Sequence, residues 1–190
     1  MAERLVTDRL ILRNWAIEDA PAAFEVFGHP EVARWLSPIM VQVPNLAAMR
    51  VLLRQWIVED LRSPPPTGRW CIQRREDAAV LGGATLLPLP PGGDDLELGS
   101  QLHPSVWGQG YASEATYAIA QWAFRHDVDE LYAVIRPDNV RAVSALRRNG
   151  MEWVGETDKY FGQTMQLYRL RPADLGQARP DALPPGFETE

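Results

Sequence analysis

The chain has 190 residues, 46% of them hydrophobic and 23% charged, and a formal net charge of −6. That is one domain of ordinary globular composition with apolar side chains enough for a sizeable core. The single cysteine, Cys71, excludes an internal disulfide and any metal site built on several thiolates, while the acidic balance argues against a general nucleic-acid binder and favours a cationic acceptor such as an amine. The first residues hold no apolar run of the export-signal kind, so a cytoplasmic protein without membrane attachment is expected.

In chain order, Leu10 and Leu12 alternate with Ile11 and Arg13, as in a strand with one face better buried than the other. Ala20, Ala23, Phe24 and Phe27 fall at helical spacing, as do Met49, Leu52, Leu53, Trp56 and Ile57, which predicts two amphipathic helices with a loop over residues 37–45 between them. The proline run at 63–68 ends the second helix. Residues 69–75 and 80–89 predict a hairpin turning at Glu76 and Asp77, with another turn over 88–95. A strand over 96–102 leads into the glycines Gly108 and Gly110, and Ala115, Ile119 and Trp122 form the buried stripe of the helix after them. A strand over 131–135, a helix over 140–148 and two strands near Met151 and Thr164 complete the order. Strands on both sides of central helices predict a mixed, mostly antiparallel α/β sheet flanked by helices. After Arg171 the prolines 172, 180, 184 and 185 stand among small polar residues, so the folded domain is expected over 1–171 and a poorly ordered tail over 172–190.

Residues 98–115, LGSQLHPSVWGQGYASEA, carry most of the chemistry. A strand, a glycine-hinged turn and a helix in succession form an anion-binding architecture. Gly108 and Gly110 can take positive φ or admit a ligand close to the backbone, so successive N–H groups point at one anion, and the helix dipole adds to them. The spacing fits neither the GxxxxGK[ST] phosphate loop nor a GxGxxG that follows the first strand of a βαβ unit. A helix-leading turn without ligand is the plain structural alternative.

The segment resembles the acetyl-CoA signature of the GNAT acyltransferases, in the RimJ/RimL-like branch that acetylates ribosomal-protein N-termini. The family pattern is Gln or Arg, two residues, Gly, one residue, then Gly or Ala. Aligned through Gln109, Gly110, Tyr111 and Ala112, its first position falls on Trp107, a departure that the RimJ/RimL branch shares. Residues 7–15, TDRLILRNW, resemble the family's opening strand, and Asn139 with Gly150 and Met151 resembles the motif closing its cofactor half. The resemblance covers about residues 5 to 171 and implies the GNAT fold. It also implies acetyl-CoA as co-substrate, no metal, an amine acceptor met in a ternary complex, and a homodimer as the assembly to test. A protein N-terminus is the implied acceptor, a small amine or aminoglycoside the alternative, and a CoA-binding module without catalysis the competing class.

By the same resemblance, two central strands splay where Leu102, His103 and Pro104 end one of them, so that pantetheine lies between as a pseudo-strand. Pro104 points the same way by itself, since proline cannot donate to a ladder. Backbone groups of Gln101 and Leu102 are then expected to bind the pantetheine amides. Trp107, Gly108, Gln109, Gly110, Tyr111, Ala112 and the Ser113 hydroxyl are expected at the pyrophosphate, with His103 and Asn139 also on the cofactor side. Asn139 follows Pro137 and Asp138 before a helix, so an N-cap role is equally open.

An α-amine titrates at about 8 and a lysine at about 10.4, so a proton must leave before or during attack. Glu97, on the strand feeding the loop where related acyltransferases often carry a Glu, is the expected base; a solvated strand-edge glutamate is the alternative. His103 is the second choice, with an imidazole suited to neutral pH. The position seven after Asn139, where many relatives hold a Tyr that protonates the CoA thiolate, is Leu146, which leaves Tyr160, Tyr168 or water. Trp56, Trp122 and Trp153 read as core, Trp15, Trp35 and Trp70 as walls of the acceptor groove, Glu114 as helix-stabilising and turned away from phosphate, and Cys71 as a buried small hydrophobe.

Overall fold

The computed structural model describes residues 2–38, 40–90 and 93–177. Strand β1 (Leu5–Val6) pairs with β2 (Leu10–Asn14), in which Leu10 and Leu12 are fully buried and their neighbours face the other way. Helices α1 (Ala20–Phe27), α2 (Pro30–Ala33) and α3 (Leu46–Asp60) follow. Asn45 starts α3 by accepting the Ala48 N–H at 2.9 Å, a side-chain N-cap. The hairpin of β3 (Gly68–Arg74) and β4 (Val80–Pro88) leads to β5 (Leu96–Leu102), α4 (Tyr111–Phe124), β6 (Leu131–Ile135), α5 (Val140–Arg148), β7 (Glu152–Thr157) and β8 (Met165–Leu170).

These strands form one eight-stranded sheet in the order β1-β2-β3-β4-β5-β6-β8-β7, antiparallel except for the parallel pair β5–β6. Alternation along β3 sorts the core into two layers. Trp70 and Ile72 turn to the face covered by α4 and α5, with Leu86, Leu98, Ala115 and Ile119, whereas Cys71 turns to the face covered by α1 and α3, with Trp15, Phe27 and Leu53. Burial pushes the Cys71 thiol up to about 12, so it packs as a small apolar group and is not a nucleophile at neutral pH.

The chain departs from the sequence expectations in three places. Strand β1 and the short α2 were not expected, being too brief to show a period. The apolar stripe of α4 is Ala115, Ile119 and Ala123, while Trp122 is half-buried and donates its Nε1–H to the Pro66 carbonyl at 3.2 Å. Residues expected to begin a loose tail fold back instead: Pro172–Asp174 form a 3-10 turn, and the Gly176 N–H donates to the Asn149 carbonyl at 3.1 Å. The proline-rich remainder, 178–190, lies outside the described residues. Among the described residues no helix is long and apolar enough to cross a membrane.

Candidate functional site

The site begins with a ladder that stops. Strands β5 and β6 pair only at Leu96–Leu131 and Glu97–Tyr132, although β5 runs on to Leu102 and β6 to Ile135. The other edge of β5 stays paired with β4 throughout, and the His103 N–H donates to the Leu81 carbonyl at 2.9 Å. Antiparallel pairs alternate between bonded and non-bonded positions. Counting back from that bond turns the backbone of Gln101 and Gly99 toward β4, so Gln101 does not offer pantetheine the backbone groups expected of it, and turns that of Ser100 and Leu102 toward the gap. The Leu102 carbonyl is taken by the Trp107 indole N–H at 2.8 Å, which closes the end of the gap.

Beyond the 3-10 turn Pro104–Val106, the glycine loop opens α4. Gly108 and Gly110 have φ of +76° and +80°, a conformation that costs other residues free energy. A Cβ at Gly108 would meet no protein atom within 4 Å, so the loop faces open space. Arg9 braces it from behind: its Nη1 donates to the Gln109 carbonyl at 2.9 Å, its guanidinium lies 4.4 Å from the Tyr111 ring centre, and its Nε pairs with Glu114 at 2.7 Å. Glu114 also accepts the Thr7 hydroxyl at 2.6 Å, so its charge is spent away from the loop.

A cavity of about 530 Å³ runs from Gly108, Gly110 and α5, through the gap, to α1 and α3 on the opposite face. Two arginines absent from the sequence expectations stand at its loop end. Arg141 lies 3.8 Å from the Trp107 ring centre, a cation–π contact. Arg148 donates through Nε to the Ser113 hydroxyl oxygen at 3.2 Å and lines the same cavity. Both sit with Ala145 on one helical face, the signal by which spacing from Asn139 exposes them. Asn139 itself is the N-cap of α5, accepting the Ala142 N–H at 3.2 Å, and it also lines the cavity.

Glu97 stands in the middle. Alternation along β5 turns its side chain to the face covered by α1 and α3, two residues before Gly99, which also lines the cavity. Loss of water raises its carboxyl to about 7, with the Val134 N–H, left over where the β5–β6 ladder stops, acting in the opposite direction. A carboxyl so poised exchanges a proton at neutral pH, as a general base must.

At the far end the walls are side chains from distant segments. Trp15, Phe27 and Trp56 meet with ring centres 5.2 to 6.3 Å apart, and Trp35, Leu36 and Met40 add to them. Arg69 at the rim pairs with Glu59 at 2.7 Å and Asp60 at 2.8 Å.

Of the residues singled out in the sequence, Glu97, Gln101, Leu102, Trp107, Gly108, Gly110, Tyr111, Ala112 and Asn139 line this one cavity. His103, Gln109 and Ser113 are not among the residues lining it. His103 caps the 3-10 turn with Nδ1 2.7 Å from the Ser105 hydroxyl oxygen, and its ring meets the edge of His29 at 5.5 Å. Tyr160 donates to Asp95 at 3.3 Å, and Tyr168 is wholly buried in the core, both away from the cavity lining. Two tryptophan expectations exchange places. Trp70 is core on the α4 face, fully buried with Nε1–H donating to the Glu3 carbonyl at 2.7 Å, because alternation sends it opposite Cys71. Trp56, expected in the core, is a cavity wall. Among the described residues no group of His, Cys, Asp and Glu could hold a metal ion.

The family model of the acetyltransferase (GNAT) domain matches residues 9–152. An uncharacterized N-acetyltransferase of Bacillus subtilis, YoaA, is 27% identical over 165 residues, covering 86% of this chain and 91% of YoaA. The structure of Mycobacterium smegmatis RimJ in complex with CoA-disulfide superposes with a TM-score of 0.73 at 17% identity, over 89% of this chain and 85% of RimJ. RimL, a ribosomal L7/L12 α-N-protein acetyltransferase in complex with coenzyme A, superposes with a TM-score of 0.72 at 20% identity, over 89% and 98%. The ladder broken at Glu97, the glycine loop and the family match agree: this chain is an N-acetyltransferase of the GNAT family, whose members use acetyl-CoA.

Proposed function

We propose that this chain passes the acetyl group of acetyl-CoA directly to a primary amine in a ternary complex, and that the amine is a protein N-terminus. The observation that carries the reading is a single cavity with an anion cradle at one end, a carboxyl raised to about 7 in the middle and an aromatic-walled chamber at the other end. Backbone amides from Gly108 to Ala112 hold the pyrophosphate, aided by the N-terminal end of α4, by Arg141 and by Arg148, while Ser113 and Asn139 fix those parts. The fit is steric as well as electrostatic, since a Cβ at Gly108 would project into otherwise open space.

The gap-facing backbone of Ser100 and the N–H of Leu102, whose carbonyl is held by Trp107, supply the pairing that pantetheine needs, in the manner of an added strand. A backbone N–H of this edge also meets charge developing on the thioester oxygen, an effect worth roughly 3 kcal/mol where single donors have been removed. Glu97 takes the amine proton, directly or through one water, as nitrogen bonds to the acetyl carbon. The carbon–sulfur bond then breaks, and the thiolate takes its proton from water.

The choice of a protein N-terminus rests on likeness to RimJ and RimL and on the net charge of −6. A small-molecule amine is the second reading, favoured by the aromatic lining of the cavity beyond Glu97. The test is calorimetric titration with acetyl-CoA beside NADH and ATP, followed by intact-mass analysis of peptides and small amines incubated with the enzyme. Selective acetyl-CoA binding and acetylated α-amines are expected. Equal binding of ATP, or acetylated lysine side chains with free α-amines untouched, would overturn it.

A further inference from the structure

The chamber beyond Glu97 has a composition that the transfer reaction does not require. Its floor is the triangle of Trp15, Phe27 and Trp56, and its side is Trp35, Leu36 and Met40. These rings are not merely core that happens to border a void. Gly83 of β4 lies beneath them, and a Cβ there would come within 2.9 Å of Trp15 Cζ2 and 3.4 Å of Phe27 Cζ, so the missing side chain lets both rings settle against the sheet. Trp15 and Phe27 are almost wholly buried, which fixes the floor, while Trp35 and Trp56 are half-buried and line the chamber, the Trp35 ring with the Arg34 guanidinium 4.7 Å from its centre.

The charged groups at this end are largely committed. Arg69 is forked between Glu59 and Asp60, with its guanidinium 5.9 Å from the Trp56 ring centre. Arg136 reaches across to the Leu36 carbonyl at 3.1 Å and to Gln163 at 3.4 Å. An acceptor group seated among the rings therefore finds apolar surface below and a rim whose arginines are already paired, with the Ser37 hydroxyl at its side as a buried polar atom without a partner among the described residues. A polar group placed there would lose water without gaining a partner from the floor, whereas an aliphatic or aromatic group would gain from burial.

We infer that the acceptor carries a large apolar group next to its reactive amine, seated on Trp15, Phe27, Trp35 and Trp56 while the nitrogen lies at Glu97. The inference rests on the reading of Glu97 as the point of transfer. Two sources share this chemistry: a peptide whose first residue is Met, Leu or Phe, and a free arylalkyl or alkyl amine.

The test uses purified enzyme with acetyl-CoA and two matched series. One is a set of tetrapeptides differing only in the first residue, Met, Leu or Phe against Ser, Gly or Asp; the other sets 2-phenylethylamine and hexylamine against ethanolamine. Within whichever series is turned over, kcat/KM for apolar members exceeds that for polar ones by about ten- to a hundredfold, the range that burial of one such group gives. Trp56→Ala collapses that ratio mainly through KM, with acetyl-CoA affinity by calorimetry as the control, and Trp35→Ala repeats the test at a second ring. Polar acceptors turned over as well as apolar ones, or a ratio untouched by both variants, would overturn the inference. The same panel titrated in the presence of CoA separates it from the reading beneath it. Apolar amines that bind without being acetylated uphold the chamber and refute transfer at Glu97, and a panel that neither binds nor reacts overturns the chamber.

Discussion

At the glycine-loop end of the cavity the ligand-facing groups come largely from one continuous stretch, residues 96–112, and much of what they offer is backbone. At the aromatic end they are side chains gathered from Trp15 after β2, α1, the segment from α2 to α3, α3 and β3, between Trp15 and Arg69. The difference follows from what each end must recognise. A phosphate and an amide-bearing arm are met by N–H and C=O groups that any residue has, so the sequence need only supply glycines and an interrupted ladder. An acceptor's body is met by shape and hydrophobicity, which only side chains provide.

The largest expected effect lies where the two ends meet. Glu97→Gln should lower kcat by about a hundred- to ten-thousandfold above pH 7, the usual range for a general base, with acetyl-CoA affinity retained. In the unaltered enzyme kcat/KM should rise with pH through a limb with a midpoint at about 7, because Glu97 must be ionised to accept the proton. The variant should lose that limb. A kcat left intact, or a limb retained, would remove Glu97 from the chemistry.

Next in size is the backbone end. Gly110→Trp forces a side chain onto a residue with φ of +80°, where an added Cβ already lies 3.4 Å from Arg9 Nη2. Acetyl-CoA affinity should fall at least a hundredfold by calorimetry, with circular dichroism reporting that the sheet persists. Tight binding by this variant would count against the loop assignment altogether. Arg141→Ala should do less, about five- to tenfold in affinity, because it removes one cation while the backbone cradle stays. Its effect should shrink as salt is raised, and a salt-independent loss would instead indicate damage to the Trp107 wall.

The smallest effect concerns stability. The native carboxyl of Glu97 titrates at about 7, whereas an unfolded glutamate titrates at about 4.3, so the folded state holds its proton more tightly. Folding stability therefore declines as pH rises between those values and is level above them. Glu97→Gln is exempt from that decline. It should melt a few degrees above the unaltered protein at pH 8, and the gap should close by pH 4. An equal gap at both pH values would mean that burial of the carboxyl is not the cause.

The order of strands and long helices was legible from residue patterns, because amphipathic period and turn residues act locally: β5, β6 and α5 end where the spacing predicts. The glycine loop and Asn139 were legible for the same reason, being short motifs whose conformation is set by their own residues. Tertiary structure decided the rest. That β5 parts from β6 already after Glu97, and not at Leu102–Pro104 where the resemblance places the splay, is a property of two strands nearly thirty residues apart. The partners taken by Arg141 and Arg148 follow from how α5 docks on the loop and α4. Trp70 and Trp56 exchanged their expected roles because a one-residue alternation and a helix rotation determine which face a ring meets, and neither is written in the ring itself. Glu97 shows both sides of the division: its place on the strand was readable, but the loss of water that raises its carboxyl to about 7 exists only once the sheet has closed around it.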